Sequence, residues 1–339
     1  MSVTIKDVAK AANVSVATVS RVLNKQSNVS AEAFDRVTRV MEELGYSPNR
    51  LGRDLRKSET MRILAITASA EQSFYSDVLR GMEEAAAAQG YDVLIAATHD
   101  KPEHEMHLLN MLFSHSVDGA VMLGAKQDAG VISKLAENHH IALCLERMEG
   151  CNALTVTIDN ARAGRDAVNC LIEKGHRRIG LISTTTRSQS SVDREKGYRQ
   201  ALAEHGIEYD ERLVYFGNYD CESGTEGCRK LLELEQPPTA IFSISDMIAI
   251  GAMKHAMSVG MAVGKDIMFI GFDNVAFSDI FVPQLSTVEQ PCFAQGKLVV
   301  EKLISNIKGE TEDKGLYMLP HRLVLRESTG DILKKGKHI

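Results

Sequence analysis

From residue 61 onward, the apolar positions alternate between two patterns along the chain. Short apolar runs are typical of buried strands: RILAIT, YDVLIAA, DGAVML, IALCL, LTVTI, RIGLIS, TAIFSI, IMFIGF and RLVLRE. Between them, apolar residues recur every three or four positions, as in amphipathic helices, over 76–90, 102–114, 128–138, 160–174, 192–205, 222–234, 247–259 and 292–308. This alternation predicts parallel sheets covered by helices on both faces. The strands are too many for one small sheet, so the pattern predicts two α/β subdomains.

The first 46 residues instead have the pattern of three short helices. Thr4 and Asp7 can form a capping box at the start of the first. Ser15 can cap a second helix over 16–24, and Ser30 can cap a third. The second helix directs Val19, Val22 and Leu23 inward and leaves outward Val16, Ala17, Ser20 and Arg21. The buried stripe predicted for the third helix is Phe34, Val37, Val40, Met41 and Leu44.

Helix, short turn, helix and supporting helix is the arrangement of a DNA-binding helix-turn-helix. In the major groove, Val16 and Ala17 are small enough to contact a thymine methyl, and Arg21 can bind guanine O6 and N7 together. Polar side chains near the helix N-termini can donate to DNA phosphates: Thr4, Ser15, Thr18 and Asn24. The pattern by itself also fits a three-helix bundle with no role in DNA binding.

Residues 47–60 are predicted to form a hinge helix and linker. Leu51 and Leu55 lie four positions apart among basic residues, so they share one helix face. A helix this short is marginal in water and is expected to form when it docks on a partner. Exposed leucines on a basic helix can wedge into the minor groove and bend the duplex. An ordinary charged linker is the alternative.

Charge is distributed unevenly over the 339 residues, whose formal net charge is −6. Residues 1–60 contain ten Lys and Arg against seven Asp and Glu, so they carry +3 and leave −9 on the remainder. A basic N-terminal region on an acidic body favours a polyanion as the partner of that region alone.

Three features of the sequence favour a cytoplasmic protein with no membrane partner. No apolar run approaches the roughly 20 residues that span a bilayer. The N-terminus lacks the basic and apolar regions of a secretory signal. The six cysteines are scattered without a C-x-x-C pair, which favours reduced thiols.

A ligand of such an α/β body should bind at the carboxyl ends of the strands. The polar residues just after strands are Asp159, Ser245, Asp246, Asp273 and Asn274, and the loop residues that join them are Phe74, Tyr75, Arg194 and Tyr219. A carboxylate can accept two hydroxyls of a sugar or ribose, an aromatic ring can stack, and an arginine can pair with an exocyclic oxygen. An aspartate after a strand often caps the next helix instead. We favour that interpretation for Asp246 and ligand binding for Asp273.

An enzyme is poorly supported by the sequence. There is no G-x-G-x-x-G after a strand, no P-loop and no G-x-S-x-G. His104 and His107, with His99 nearby, could hold a metal, but a solvated helix face is the favoured interpretation. No cofactor or metal is therefore expected. A cytosolic solute-binding protein without sequence-specific DNA readout remains the alternative.

Motifs typical of one protein family occur over nearly the whole length of the chain. In the N-terminal region they are TIKDVAKAANVSVATVSRVLN and VSAEAFDRVTRVMEELGYSPNRLGRDL. In the body they are LIEKGHRRIGLI, PPTAIFSISDMIAIGAM, IGFDN and LSTVEQP, in family order. With these motifs the chain resembles the LacI/GalR family of bacterial transcriptional regulators, and its body is most similar to cytidine- and purine-responsive repressors. The resemblance implies a helix-turn-helix head and a periplasmic-binding-protein-like core of two doubly wound parallel-sheet subdomains.

The resemblance also implies domain boundaries. The head is expected at 1–46, the hinge at 47–60, the core at 61–330 and a tail at 331–339. The first subdomain would comprise about 61–160 plus 292–321. The second would comprise about 161–291 plus 322–330.

Site roles follow from the same resemblance, position by position. Val16, Ala17 and Arg21 match base-reading positions, and Leu55 matches the leucine that wedges into the operator. The phosphate contacts it implies are Thr4, Ser15, Thr18, Asn24 and Ser30, to which we add Asn49. Arg194 and Asp273 match the most recurrent effector contacts, while the pocket aromatics and occasional contacts are Phe74, Tyr219, Asp159, Ser245 and Gln290. Ser245 stands where sugar-binding members often have Asn, which weighs against a simple hexose.

Together these features predict a homodimeric repressor that binds a palindromic operator. A nucleoside, purine or sugar effector in the interlobe cleft would change the closure of the lobes. The tail GDILKKGKHI has no leucine heptads, which predicts a dimer rather than a tetramer.

Overall fold

The computed structural model describes residues 3–23, 29–46, 59–69 and 74–331. The chain divides into two compact units, Met1–Thr60 and Met61–Ile339. Asn24, and the predicted hinge positions Asn49 and Leu55, lie outside the described residues.

The first unit contains three helices, α1 (Ile5–Ala11), α2 (Val16–Leu23) and α3 (Ala31–Glu43). The predicted capping box is confirmed, because the Asp7 carboxylate accepts the backbone N–H of Thr4 at 2.8 Å and Asp7 N–H donates to the Thr4 hydroxyl at 3.4 Å. The core buries only small side chains: Val8, Ala9, Ala12, Val19, Val22 and Val37.

The buried stripe predicted on α3 is wrong at both ends. Val37 is fully buried and Val40 and Met41 are half-buried, but Phe34 and Leu44 are 39% and 38% exposed. The small side chains of α1 and α2 make a core that covers only the middle turns of α3. Gly45 follows the helix with φ of 60°, the left-handed conformation expected of a glycine that ends a helix.

The second unit alternates strands and helices. In chain order they are β1 (Arg62–Thr67), α4 (Tyr75–Ala88), β2 (Asp92–Ala97), α5 (Pro102–Phe113), β3 (Gly119–Met122), α6 (Ala129–Ala136), β4 (Ile141–Cys144), β5 (Leu154–Ile158), α7 (Asn160–Glu173), β6 (Ile179–Thr184), α8 (Gln189–Glu204), β7 (Val214–Gly217), α9 (Cys221–Leu232), β8 (Ala240–Ser243), α10 (Asp246–Ser258), β9 (Met268–Asp273), α11 (Ala276–Ile280), β10 (Ser286–Glu289), α12 (Cys292–Ile307), β11 (Leu316–Leu319) and β12 (Arg322–Val324).

These strands form two six-stranded sheets, one in each of two lobes. The first lobe has the order β11-β5-β4-β3-β1-β2, and all its strand pairs are parallel. Two apolar cores lie on opposite faces of this sheet, one with α4 and α12 and the other with α5 and α6. The second lobe has the order β12-β10-β9-β8-β6-β7, and its single large core joins the sheet to α7, α8, α9 and α10. The two-lobed parallel α/β architecture is the one predicted.

The structure departs from the sequence pattern at three strands, two at sheet edges and one beside an edge. The strands β7, β10 and β11 were not predicted, because their residues are partly exposed or polar rather than continuously apolar. The edge strand β12 pairs antiparallel with β10, in an otherwise parallel sheet. A short antiparallel edge strand is a common addition to such sheets.

The chain passes between the lobes after β5, after β10 and between β11 and β12. These three crossings are the covalent connections between the lobes. At the last crossing His321 Nε2 lies 3.0 Å from the Asp166 carboxylate of α7.

Three helix pairs cross at glycines contributed by both partners. The pairs are α4 with α12, α7 with α8, and α9 with α10, and the glycines are Gly81, Gly296, Gly164, Gly197, Gly224 and Gly251. At each of these positions an added Cβ would overlap a backbone carbonyl of the facing helix. Absence of a side chain is therefore what allows these helices to approach so closely.

Gly251→Ala is expected to lower the free energy of unfolding by at least about 2 kcal/mol, because overpacking a tight contact forces the backbones apart. In α10, the new methyl group would overlap the carbonyl oxygen of Cys221 in α9. Urea unfolding followed by circular dichroism measures the change. Gly130→Ala is the matched control, since Gly130 lies in α6 with nothing within 4 Å of its added Cβ. Equal stability of the two variants would contradict the steric argument.

Candidate DNA interface and ligand cleft

The outer side of α2 carries the residues predicted to read bases. Val16, Ala17 and Arg21 are exposed, while Val19 and Val22 face the core. Ser15 fixes the start of the helix, because its hydroxyl accepts the backbone N–H of Thr18 at 3.0 Å. The structure thus brings Val16, Ala17 and Arg21 onto one exposed surface, which we call the recognition face.

Three of the hydroxyls predicted to contact phosphates, those of Thr4, Ser15 and Ser30, already serve as helix caps. Thr4 donates its hydroxyl to Asp7 at 2.7 Å, Ser15 and Thr18 share a hydroxyl–hydroxyl bond of 2.8 Å, and Ser30 accepts the N–H of Ala33 at 3.3 Å. A phosphate at these positions would meet first-turn backbone N–H groups, with a hydroxyl donor only after the side chain rotates. Such N-termini favour anions through both their free N–H groups and the helix dipole.

In the second unit, Arg194 of α8 is the buried charge of the cleft. Its Nε donates to Asn160 Oδ1 at 2.9 Å, and its Nη1 donates to the carbonyl oxygen of Ile244 at 2.6 Å. The guanidinium lies 3.6 Å from the centre of the Phe272 ring and 3.6 Å from Asp273 Oδ1. These contacts hold a positive charge beside the carboxyl ends of β8 and β9.

Asp273 ends β9 with a φ of 113°, in the left-handed region that non-glycine residues rarely adopt. Its Oδ1 accepts a hydrogen bond of 2.8 Å from Gln290 Nε2. Burial raises the pKa of this carboxyl to about 7, although the nearby Arg194 lowers it. Gln290 is buried, and its Oε1 has no hydrogen-bond partner within the part of the chain that the structure describes. An ionised carboxylate and an unsatisfied amide oxygen are both acceptors for ligand hydroxyls.

The aromatic residues predicted for the effector site belong to both lobes. In the first lobe the rings of Phe74 and Tyr75 lie 5.4 Å apart, and the Tyr75 hydroxyl donates to the carbonyl oxygen of Leu123 at 3.5 Å. Tyr219 belongs to the second lobe. Burial raises the pKa of both tyrosines, and the charge of Glu146 raises it further in each case.

Two of the remaining predicted effector residues cap helices. Asp159 is the N-cap of α7 and accepts the N–H of Arg162 at 2.9 Å. Ser245 is the N-cap of α10 and accepts the N–H of Ile248 at 3.4 Å. Asp159 is exposed at the crossing between the lobes, whereas Ser245 is buried.

The interpretation of Asp246 as a helix cap is wrong, because Ser245 takes that position. The fully buried Asp246 accepts the N–H of Val275 at 2.9 Å and the hydroxyls of Ser278 at 2.6 Å and Thr287 at 2.5 Å. It anchors the turn that follows β9. The neighbouring Asn274 accepts a hydrogen bond of 2.8 Å from Arg326 Nη2, so it also holds this turn.

Glu146 and Arg147 are cleft residues that the sequence reasoning missed. Glu146 Oε1 accepts the backbone N–H of Ser190 at 3.0 Å and its hydroxyl at 3.2 Å. Arg147 donates from Nε and Nη2 to the two oxygens of Asp193, at 3.1 Å each. Both follow directly after β4, so the same rule of polar residues after strands applied to IALCLER would have found them.

The described residues contain no group of three His, Cys, Asp or Glu side chains that could hold a metal ion. Among the described helices, none is both long and apolar enough to cross a membrane.

Comparisons with known proteins match both units. A family described as bacterial regulatory proteins, lacI family, matches residues 4–49, and a periplasmic binding protein-like domain matches residues 168–329. Catabolite control protein A of Priestia megaterium is 35% identical over 97% of this chain and 100% of its own. The HTH-type transcriptional repressor CytR of Escherichia coli strain K12 is also 35% identical, over 96% of each chain. The relatives therefore include a cytidine-type repressor, as the sequence predicted, beside the catabolite regulator.

The solved structures agree with the sequence relatives. The lac repressor dimer bound to operator and the anti-inducer ONPF is similar with a TM-score of 0.88 and 27% identity, over 97% of this chain and 99% of that chain. The transcriptional regulator CelR in complex with cellobiose is similar with a TM-score of 0.74 and 30% identity, over 96% and 99%. With these matches over nearly its full length, the chain belongs to the LacI family of bacterial transcriptional regulators.

Proposed function

We propose that this regulator is a cytoplasmic repressor that binds a palindromic operator as a homodimer and responds to a small-molecule effector in its interlobe cleft. The observation that carries the proposal is the cleft itself. The buried Arg194 lies 3.6 Å from the Asp273 carboxyl, whose side chain is 10% exposed, in a chain that also presents an exposed recognition face. A ligand can control DNA binding only if it binds the two states of the protein with different affinities.

On the DNA side, Val16, Ala17 and Arg21 would read base edges, and Leu55 would wedge into the centre of the operator. Thr4, Ser15, Thr18, Asn24, Ser30 and Asn49 would contact phosphates. The lac repressor relative is a dimer bound to operator, which supports the same partnership here. A two-fold symmetric protein suits a two-fold symmetric site, with one head on each half-site.

For the effector we propose a polyhydroxylated ring, such as a nucleoside or sugar, or a purine. Asp273 and Gln290 offer acceptors to hydroxyls, and Phe74, Tyr75 and Tyr219 offer faces to a ring. Asp159 and Ser245 would contribute at the edge of the site in addition to capping their helices. The similar regulator CelR was solved in complex with cellobiose, which supports a sugar as one candidate here.

A second copy of the chain is proposed to cover an apolar surface of the second lobe. Phe277, Ile280 and Val282 lie in and after α11, and Ile280 and Val282 are 67% and 77% exposed. Exposed clusters of large apolar side chains are typical of interaction surfaces. The hydrogen bonds of Asp246 and of Arg326 hold the turn that carries these three apolar residues.

Ile280→Lys is expected to shift the dimer towards monomer by at least tenfold in dissociation constant, because it places a charge in an apolar contact. Analytical ultracentrifugation over a concentration series measures the shift. Val131→Lys is the matched control, since Val131 is an exposed apolar residue of α6 in the first lobe. A dimer unaffected by Ile280→Lys would remove this surface from the interface, and a tetramer in the unmodified protein would contradict the dimer.

The function itself is tested by fluorescence anisotropy with a labelled duplex selected from random DNA. Binding is measured at two salt concentrations, with and without a panel of nucleosides, purines and sugars. The proposal expects tight binding to a palindrome and a shift caused by one ligand class. Weak, steeply salt-dependent binding without sequence preference would show that the head binds DNA only through nonspecific phosphate contacts. Sequence-specific binding unmoved by every ligand would contradict the effector part alone.

A further inference from the structure

The residue at the start of the second unit has an unusual backbone conformation. Met61 follows the predicted hinge and linker 47–60 and directly precedes β1, and its φ is 56°. Non-glycine residues rarely adopt this left-handed region, because their Cβ crowds the neighbouring carbonyl oxygen. Such a conformation persists only where surrounding contacts fix it, and positions of this kind are often functional. The contacts of Met61 therefore decide how the chain enters the core.

Contacts from both neighbouring strands hold Met61. Its N–H donates to Asp118 Oδ2 at 2.7 Å, and its carbonyl oxygen accepts the N–H of Asp92 at 2.9 Å. Asp92 begins β2 and Asp118 directly precedes β3, and these two strands flank β1 in the sheet. The Met61 side chain packs against the apolar core that includes residues of α4 and α12. Both polar groups of its backbone and its side chain are thus restrained together.

The hydrogen bond with Asp118 differs from the other backbone contact because it depends on one side chain. A carboxylate forms shorter and stronger hydrogen bonds with an N–H group than a neutral acceptor does. This bond is partly buried, and it joins residues 57 positions apart in the chain. The pairing with Asp92 is made by backbone atoms alone, so it survives a change of the side chain there. Substitution of Asp118 is therefore the change that releases the junction selectively.

The backbone of Asp118 is fixed independently of its carboxylate. Its N–H donates to the carbonyl oxygen of Arg62 at 2.9 Å, and the next residue, Gly119, pairs with Ile63 in the parallel ladder of β1 and β3. These backbone contacts remain when the side chain changes. The carboxylate therefore acts on the junction in addition to the strand pairing.

From this geometry we infer that Asp118 is a positioning residue that fixes the direction in which the chain leaves the core towards the DNA-binding head. The inference rests on the proposed function, because the direction matters when two heads must reach two half-sites of one palindrome together. Loss of the contact leaves each head able to bind DNA, but it spreads the heads over more orientations. Affinity for the palindrome then falls with the fraction of protein that has both heads suitably placed.

Operator titrations by fluorescence anisotropy test the role of Asp118 in the full-length protein. Asp118→Ala is expected to weaken binding to the selected palindrome about tenfold, the size of the loss of one hydrogen bond to a charged acceptor. Binding to a duplex without the site should change little, because the heads are unaltered. Asp118→Asn keeps an acceptor oxygen and should retain most of the affinity. Asp118→Leu keeps the size of the side chain without an acceptor and should repeat the loss, so a folding defect confined to the alanine variant does not decide the result.

The sign of the effect separates positioning from electrostatics. All three variants remove a negative charge, which by itself would strengthen binding to the DNA polyanion. Glu137→Gln is the matched control for charge, since Glu137 is an exposed carboxylate that follows α6 and precedes β4, at the same edge of the sheet. It should bind the palindrome at least as tightly as the unmodified protein.

Hydrogen–deuterium exchange of the full-length protein without DNA reports on the junction directly. Residues 60–62 should exchange about three- to tenfold faster in Asp118→Ala than in the unmodified protein or in Asp118→Asn. Unchanged exchange there would overturn the positioning role, and so would faster exchange with an unchanged affinity for the palindrome. An equal loss of affinity in Asp118→Asn and Asp118→Ala would also overturn it, because the loss would not follow the hydrogen bond. If the unmodified protein itself prefers no palindrome, the proposed function fails and the role of Asp118 fails with it, whereas failure of the inference alone appears only in the variants.

Discussion

Replacing Arg21 with alanine is expected to weaken operator binding by about 1–3 kcal/mol per half-site and to relax preference at one base pair in each half-site. The side chain is exposed on α2, whose buried residues Val19 and Val22 remain in place. Alanine is also the better helix former, so the fold of the head should not suffer. With two heads on one palindrome, independent losses add, and the total would then be about 2–6 kcal/mol.

The measurement is a set of anisotropy titrations on the selected palindrome and on duplexes with each half-site base pair changed in turn. Arg36→Ala is the matched control, since it removes an exposed charge from α3 of the same head, where Arg36 lies 3.8 Å from Glu32. That variant should alter all duplexes equally. If Arg21→Ala also weakens every duplex equally and reduces the salt slope by about 1, Arg21 contacts a phosphate and reads no base.

Periodicity predicted most of this fold because apolar spacing is a local property of the sequence. The stretch predicted as helical over 160–174 is α7 (Asn160–Glu173), and RILAIT is β1. The strands β7 and β11 escaped prediction because edge strands bury only part of their side chains. The family resemblance supplied the lobe boundaries, which remain a proposal. The division of the strands between the two sheets is compatible with those boundaries.

The candidate sites were less predictable because their contacts join distant parts of the chain. Asp246 looked like a cap from its position before an apolar helix, but its partners Val275, Ser278 and Thr287 lie 29 to 41 residues away. Nothing in the local sequence indicates those partners. Arg147 and Asp193 were missed for the same reason, because the pair exists only when the two lobes face each other.

Asp273→Asn is expected to abolish the effector response, with a loss of at least about a hundredfold in effector affinity, while operator affinity in the absence of effector changes little. The variant keeps the size of the side chain but removes its negative charge, and a buried charged acceptor is the strongest hydrogen-bonding group that the cleft offers a hydroxyl. Isothermal titration with the effector found in the panel measures affinity, and anisotropy measures the response. Glu222→Gln is the control, an exposed carboxylate at the start of α9. A full response in Asp273→Asn would contradict the proposed cleft.

The pH dependence of the unmodified protein supplies a second, independent readout. Burial raises the pKa of Asp273 to about 7, so the carboxylate that accepts ligand hydroxyls becomes protonated as the pH falls below 7. Effector affinity should therefore fall by up to about tenfold per pH unit below that point, and Asp273→Asn should lose this dependence.

The contribution of Asp273 to the stability of the fold changes with pH in the opposite direction. A carboxyl with a raised folded-state pKa stabilises the fold at low pH and loses that contribution as the pH rises through 7. The ligand-free Asn variant should consequently melt no lower than the unmodified protein at pH 8, and a large drop in Tm there would show that Asp273 is required for the fold rather than for the ligand.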